Sequence, residues 1–215
     1  MSQLRTTKAT IETLGGAAIV PVIPEVARLR IDVFREYPYL YDGSEEHERT
    51  YLGRYADEPG STVVIARAGG VIVGASSAIP MLRAGEEVIK PFRAAGVDPA
   101  QVYYYGESVL RREWRGHGIG VAFFAAREGR ARELGFPVVT FCAVERPADH
   151  PRRPPDYVPL NAFWTHRGYT RRPDLVCRFA WKEIDQAPAS PKTLTFWVKN
   201  LDLGTPGVAQ PGSRR

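Results

Sequence analysis

The sequence predicts one α/β domain, and three observations carry that reading. Runs rich in β-branched and aromatic residues alternate with helical-period segments along nearly the whole chain. No internal repeat and no linker interrupts the alternation, so residues 1–202 read as a single domain and 203–215 as a disordered tail. At 215 residues, 44% hydrophobic and 25% charged, the chain can bury a core of its own and has an ordinary globular balance.

Taken in order, a short strand is expected at Thr10 to Leu14. In EVARLRIDVFREY, Val26, Leu29, Val33 and Phe34 recur at helical spacing, so a helix ends before Pro38. YPYLYDGSEE is a tyrosine-rich turn, and Ser44 is placed to cap a second helix, EEHERTYLGRYA. STVVIARAGGVIVGASSAIP reads as two strands joined by a glycine hairpin. A short helix is expected near Glu86 to Ala95, then a strand, VYYYGESVL. A helix running to Leu134 follows, closed by Gly135 with Pro137 beyond it. PVVTFCAV reads as an interior strand, apolar on both faces. ERPADHPRRPPDYVPL has five prolines in 16 residues and must be an irregular loop. A short helix, NAFWTHR, and strands near LVCRFAWKEI and KTLTFWVKNL complete the domain.

Cys142 and Cys177 each sit in an apolar run and read as buried, unpaired thiols. The four histidines have no metal-ligand spacing, so no metal site is expected. No segment is long and apolar enough to span a membrane, and the N-terminus lacks an apolar signal core; a cytoplasmic protein is expected. The net charge is +5, from 24 Arg and 5 Lys against 24 acids. Arginine forks suit phosphate, although a compositional habit of the genome explains the same bias and is the stronger reading.

The informative stretch is RREWRGHGIG, residues 111–120, between a strand and a helix. A helix N-terminus carries unsatisfied N–H groups and partial positive charge. Glycines at 116, 118 and 120 let those amides approach a phosphate or pyrophosphate. A P-loop would need a lysine after the glycines, and a dinucleotide fingerprint would need GxGxxG with an acid after the next strand; neither is present. What is present is R-x-x-G-x-G, at Arg115, Gly118 and Gly120.

In this context SVLRREWRGHGIGVAFFAAREGRARELGF resembles the strand, pyrophosphate loop and helix of the GNAT superfamily of N-acetyltransferases. NAFWTHRGY is similar to a later helix of that family, and the resemblance extends over roughly residues 8 to 202. It implies a mixed, mainly antiparallel sheet flanked by helices, with an acyl-CoA cleft between splayed central strands. It further implies acetyl-CoA as co-substrate and an amine acceptor that attacks the thioester directly, in a monomer or homodimer. Backbone groups of Val109, Leu110 and Arg111 would pair with pantetheine. The segment Arg115, Gly116, His117, Gly118, Ile119, Gly120 and Val121 would hold the pyrophosphate.

Direct attack needs a base and a donor to the carbonyl oxygen. Glu107 is the candidate base, with an arginine partner as the competing reading, and the Leu110 amide is the donor. The family often has a tyrosine acid where this chain has Trp164, and an indole N–H is no acid near neutrality. Trp164 is read as packing against pantetheine or the core, and Tyr169 as a core aromatic. Asn161 is read as the N-cap of its helix, with a CoA contact as the alternative. Tyr37, Tyr39 and Tyr41, joined by Tyr105 and its neighbours, are read as an aromatic acceptor rim. Two rivals remain at this point. One is an acyl-CoA-binding protein without catalysis, motivated by the lost tyrosine. The other is a nucleic-acid module, motivated by charge and aromatics; the absence of any recognised binding motif argues against it.

Overall fold

The computed structural model describes residues 8–203. The tail expected to be disordered lies almost wholly outside them. Eight strands form one sheet in the order β1-β2-β3-β4-β6-β8-β7, with β5 also paired to β3. Every pairing is antiparallel except β4 with β6. The mixed, mainly antiparallel sheet is as expected.

β1 (Thr10–Leu14) is an edge strand on β2 (Thr62–Ala68), which turns at Gly69 and Gly70 into β3 (Val71–Pro80). α1 (Ile23–Phe34) opens with Pro24, whose missing N–H costs nothing in a first turn, and buries Val26, Ala27, Leu29 and Arg30. α2 (Glu45–Asp57) is capped by Ser44, whose hydroxyl accepts the His47 N–H at 3.3 Å. Its buried face is Glu48, Leu52 and Tyr55, two of them polar. The connection from β3 to β4 is 21 residues long and contains α3 (Glu86–Ala94), which sets Phe92 edge-on to Phe196 at 5.0 Å.

VYYYGESVL forms two strands where one is expected. β4 (Val102–Tyr104) and β5 (Ser108–Leu110) are separated by a bulge at residues 105–107. Ser76 pairs with Ser108 and Ile79 with Tyr104, so three steps along β3 face four along the partner. Ser77 serves two residues at once: its carbonyl accepts the Gly106 N–H and its N–H donates to the Glu107 carbonyl, both at 3.1 Å. Such a bulge re-aims side chains and ends pairing. Gly106 is required there, because a Cβ would collide with Tyr55 Oη and stand 2.6 Å from Ser77 Oγ. From the opposite face Arg127, 1% exposed, reaches the carbonyls of Ser77 and Glu107.

α4 (Ile119–Glu133) follows the glycine segment, and its end is closed by the Phe136 N–H on the Ala131 carbonyl. β6 (Val138–Val144) lies inside the sheet, between β4 and β8. After the irregular loop at 145–160 come α5 (Asn161–His166), β7 (Thr170–Trp181) and β8 (Ser190–Asn200). α1, α2 and α3 pack on one face around Leu29, Leu52, Ile65 and Phe92. α4 and α5 cover the other, over Tyr103, Tyr105, Phe124 and Tyr169. Ile119 and Phe123 pin the first turns of α4 to β2 and β3. Burying each of these two side chains contributes about 1.5–3 kcal/mol.

Both cysteines are free; Cys177 is buried and Cys142 half-buried. Cys142 pairs with Phe196 and Cys177 with Leu194 on opposite sides of β8. Their side chains nevertheless meet across that strand, the two thiols sharing a hydrogen bond rather than a disulfide.

Candidate active site

The parallel pair β4–β6 is short. It runs from Val102↔Val138 to Tyr104↔Thr140 and extends by one bond, the Tyr105 N–H on the Thr140 carbonyl at 2.8 Å. Beyond the bulge β5 keeps to β3, while Phe141 through Val144 pair only with β8. The sheet therefore splits between β5 and the far half of β6, leaving a cleft lined by backbone.

The Arg111 N–H bonds the Val73 carbonyl at 2.9 Å, so that amide is committed to β3. Antiparallel pairing alternates direction residue by residue, which turns the N–H and carbonyl of Leu110 toward the cleft. Of the three residues expected to pair with pantetheine, Val109, Leu110 and Arg111, the amide of Arg111 is thus occupied by β3 and the backbone of Leu110 faces away from it. Val109 is fully buried.

Arg112–Trp114 make one 3-10 turn, Arg115 is extended, and Gly118 is the N-cap of α4. Gly116 and Gly118 have φ of 80° and 78°, a region glycine enters at little cost. A Cβ built on either meets nothing within 4 Å, so the space before the helix is open. The first-turn amides of Ile119, Gly120 and Val121 have no intrahelical acceptor by helix geometry and face the open end. This arrangement can bind an anion. Arg115 ties loop to strand: Nε donates to the Leu110 carbonyl at 3.2 Å, and Nη2 meets Glu36 at 2.9 Å. Exposed His117 is held by its Nδ1 against the Arg115 carbonyl at 2.9 Å.

α5 lies beside this loop, but by a residue other than the expected one. Phe163 comes within 3.7 Å of a Cβ built on Gly120. Trp164 instead packs edge-on to Phe141 and Trp197, each at 5.1 Å, so it is a core residue. Leu160, not Asn161, occupies the N-cap, and no side chain caps that turn. Asn161 is exposed at the helix start. Tyr169 is core, as expected, and donates to Glu128 at 3.1 Å.

On the α1–α2 face the bulge aims Glu107 into a buried polar cluster that the sequence did not reveal. Glu107 is 8% exposed and Arg30 7%. Arg30 Nη1 lies 2.7 Å from Glu107 Oε2, and its Nε is bonded to Glu48. Tyr51 donates to the same Oε2 at 2.9 Å and shares a 2.9 Å bond with Tyr55. The Arg30 guanidinium also lies over the Tyr51 ring at 4.3 Å. Burial alone would make Arg30 a weaker base, but Glu107, Tyr51 and Glu48 outweigh it and hold the guanidinium more firmly protonated than usual. Burial, then the charge of Glu107, push the Tyr51 hydroxyl well above the ordinary phenol range.

The expected tyrosine rim divides. Tyr39 and Tyr41 stand beside the cluster: burial and then Cys142 raise the Tyr39 hydroxyl, and burial and then Glu48 raise that of Tyr41. Tyr37 turns to the proline loop, edge-on to Tyr157 at 4.7 Å. Tyr105 lies on the other face of the sheet, under the Arg127 guanidinium at 4.1 Å and among Phe124 and Tyr169. It is not part of the rim, because strand alternation sends it opposite to Tyr104. Arg146 fastens this side, donating to the carbonyls of Pro38 (2.7 Å) and Tyr39 (3.1 Å) and to Glu183 (2.6 Å).

The sequence profile of the acetyltransferase (GNAT) family matches residues 26–154, more than half of the chain. No curated protein matches it by sequence. Among solved structures, a ribosomal-protein-alanine N-acetyltransferase from Brucella melitensis has a TM-score of 0.58 at 18% identity, over 89% of this chain and 99% of that one. The yncA protein from Salmonella typhimurium, solved with its cofactor acetyl-CoA, has a TM-score of 0.56 at 14% identity, over 94% and 99%. A polyamine N-acetyltransferase from Drosophila melanogaster, which forms N-acetylagmatine, has a TM-score of 0.54 at 12% identity, over 89% and 100%. With the split sheet, the amide-lined helix start and the family match together, this chain belongs to the GNAT family of acetyltransferases, whose co-substrate is acetyl-CoA.

Proposed function

We propose that the chain transfers the acetyl group of acetyl-CoA to an amine, with Glu107 taking the amine's proton and the Leu110 N–H donating to the carbonyl oxygen. The observation that carries this reading is the split strand. Three residues apart along it, a buried carboxylate faces the α1–α2 side and a backbone amide faces the cleft. Acetyl-CoA supplies the activated acetyl thioester. The amides from Gly116 to Val121 would hold its pyrophosphate, and the backbone of the segment from Val109 to Arg111 its pantetheine. The open space before Gly116 and Gly118 fits such a group.

Glu107 is also an ion-pair partner, so both readings of it weighed from the sequence apply. Oε2 takes Arg30 and Tyr51; Oε1 is in neither contact and is the oxygen assigned to proton transfer, directly or through water. Arg30 and Tyr51 then act as positioning residues for that carboxylate. Trp164, half-buried against Phe141 and Trp197, takes no part in proton movement. The match to the acetyltransferase family, together with the carboxylate held at the split, favours transfer over the sensor reading. The test is CoA release by the purified protein with acetyl-CoA and a panel of amines. Absence of release with every amine, despite CoA binding, would refute transfer. The location is proposed as cytoplasmic; no helix among the described residues is long and apolar enough to cross a membrane.

A further inference from the structure

A cavity of about 190 Å³ lies between α2, the segment leading into α3, β4 and β7. Four of its ten lining residues are rings, Tyr51 and Tyr55 from α2, Tyr104 from β4 and Phe179 from β7, and Ile79 joins them. Two of these also belong to the cleft. Tyr51 donates to Glu107 at 2.9 Å. Tyr104 is the last residue of β4, and its hydroxyl lies 3.3 Å from Cys142 Sγ, where β6 has parted from β4. Tyr51 therefore stands between the cavity and the carboxylate, in contact with both. A wider depression of about 730 Å³, bounded by Arg28, Asp32 and Arg111, includes neither Tyr51 nor Glu107 in its lining.

We propose that the cavity between α2, α3 and β7 is the acceptor subsite, and that it takes a small amine with one basic group on an apolar, ring-sized body. This rests on the acetyl-transfer reading above. Size argues first: drug-sized ligands need about 300–1,000 Å³, whereas an apolar cavity of about 150 Å³ holds a benzene ring. Lining argues second, since four aromatic side chains offer flat apolar surface and edge contacts to another ring. Charge argues third. The charged lining residues are Arg54, Arg83 and Glu87, a net positive set, and Arg54 already lies over the Tyr51 ring at 4.8 Å. A second ammonium on the substrate would meet two guanidiniums. An extended peptide is disfavoured because helices and strands wall the cavity on several sides.

The test uses the full chain with acetyl-CoA and three acceptors: 2-phenylethylamine, spermidine and a lysine-bearing peptide. The expected result is a kcat/KM for 2-phenylethylamine at least about tenfold above the other two, the scale on which pocket fit discriminates. Ala84→Phe, which fills the cavity from its edge, should raise the KM for 2-phenylethylamine about tenfold and leave the KM for acetyl-CoA unchanged. Phe179→Ala, which enlarges it, should shift preference toward a naphthyl-bearing amine. Preference for spermidine or the peptide overturns the proposal, as does an unchanged amine KM in both variants. If no amine of any class releases CoA, acetyl transfer itself falls. Calorimetry then decides the cavity alone: 2-phenylethylamine binding that Ala84→Phe abolishes supports it, and no binding to the unaltered protein overturns it.

Discussion

The two sides of the cleft are built by different physics. On the loop side, residues 110–121 are contiguous in sequence, largely exposed, and present backbone amides before open space. The arginines there are paired with Asp32, Asp156 and Glu36, but the pairs are exposed and contribute about 0–1 kcal/mol each. On the α1–α2 side the groups are side chains from residues 30, 48, 51 and 107, buried and mutually dependent. Backbone recognition of a constant pyrophosphate needs only a local conformation. Recognition of a particular acceptor, and the placing of a charge beside it, needs long-range packing that satisfies each buried polar atom.

That contrast can be broken by substitution on either side. The largest effect is expected at Glu107. Glu107→Gln should lower turnover about 10²- to 10⁴-fold, flatten the rise of rate with pH and leave acetyl-CoA affinity nearly intact. A pH–rate profile that matches the unaltered protein would reduce Glu107 to a partner of Arg30.

Arg30→Met tests mutual dependence on the same side. It leaves Glu48 and Glu107 buried without their shared cation, a loss of about 3–5 kcal/mol in stability. Arg30 is raised above its ordinary value, so its contribution is fully present through the neutral range and is lost only as pH rises into the strongly alkaline range. Urea unfolding at pH 6 and pH 8 should therefore show similar destabilisation from loss of the cation. A variant within about 0.5 kcal/mol of the parent, the range of an ordinary surface substitution, would mean that the cluster adds little.

On the loop side, Gly118→Val places a branched side chain at a φ of 78° and in the space where the amides face a ligand. CoA affinity should fall about 100-fold, or about 2.7 kcal/mol, in a protein that still folds. Equal affinity by calorimetry would remove the pyrophosphate from this loop. The smallest change is expected from Trp164→Phe, which keeps an aromatic ring between Phe141 and Trp197. Turnover should stay within about twofold, or about 0.4 kcal/mol. A loss comparable to that of Glu107→Gln would give Trp164 a role in the chemistry.

Legibility follows the same division. The glycine segment, the Ser44 cap, the hairpin at Gly69 and Gly70 and the end of α4 at Gly135 all depend on residues within a few positions of one another. The sequence determined them by itself, and with them the fold class. The bulge at 105–107 left one local signal, Gly106 within VYYYGESVL, since a glycine inside a strand marks a bulge, and reading the stretch as one strand passed over it. What splits it is Tyr55 and Ser77 packed against Gly106 on one face and Arg127 on the other. Arg30 and Glu48 were hidden: each lies in an amphipathic helix, where a charged residue reads as a solvated face unless the partner helix is known. Tyr105 was assigned to the wrong face because a run of three tyrosines has no polarity pattern to orient it. Only the tertiary structure decided which strand residues turn inward and which carboxylate meets which guanidinium. Arg30 and Glu48 are 18 positions apart and Tyr51 and Glu107 are 56, and the energies of such contacts depend on burial, which no local stretch of sequence specifies.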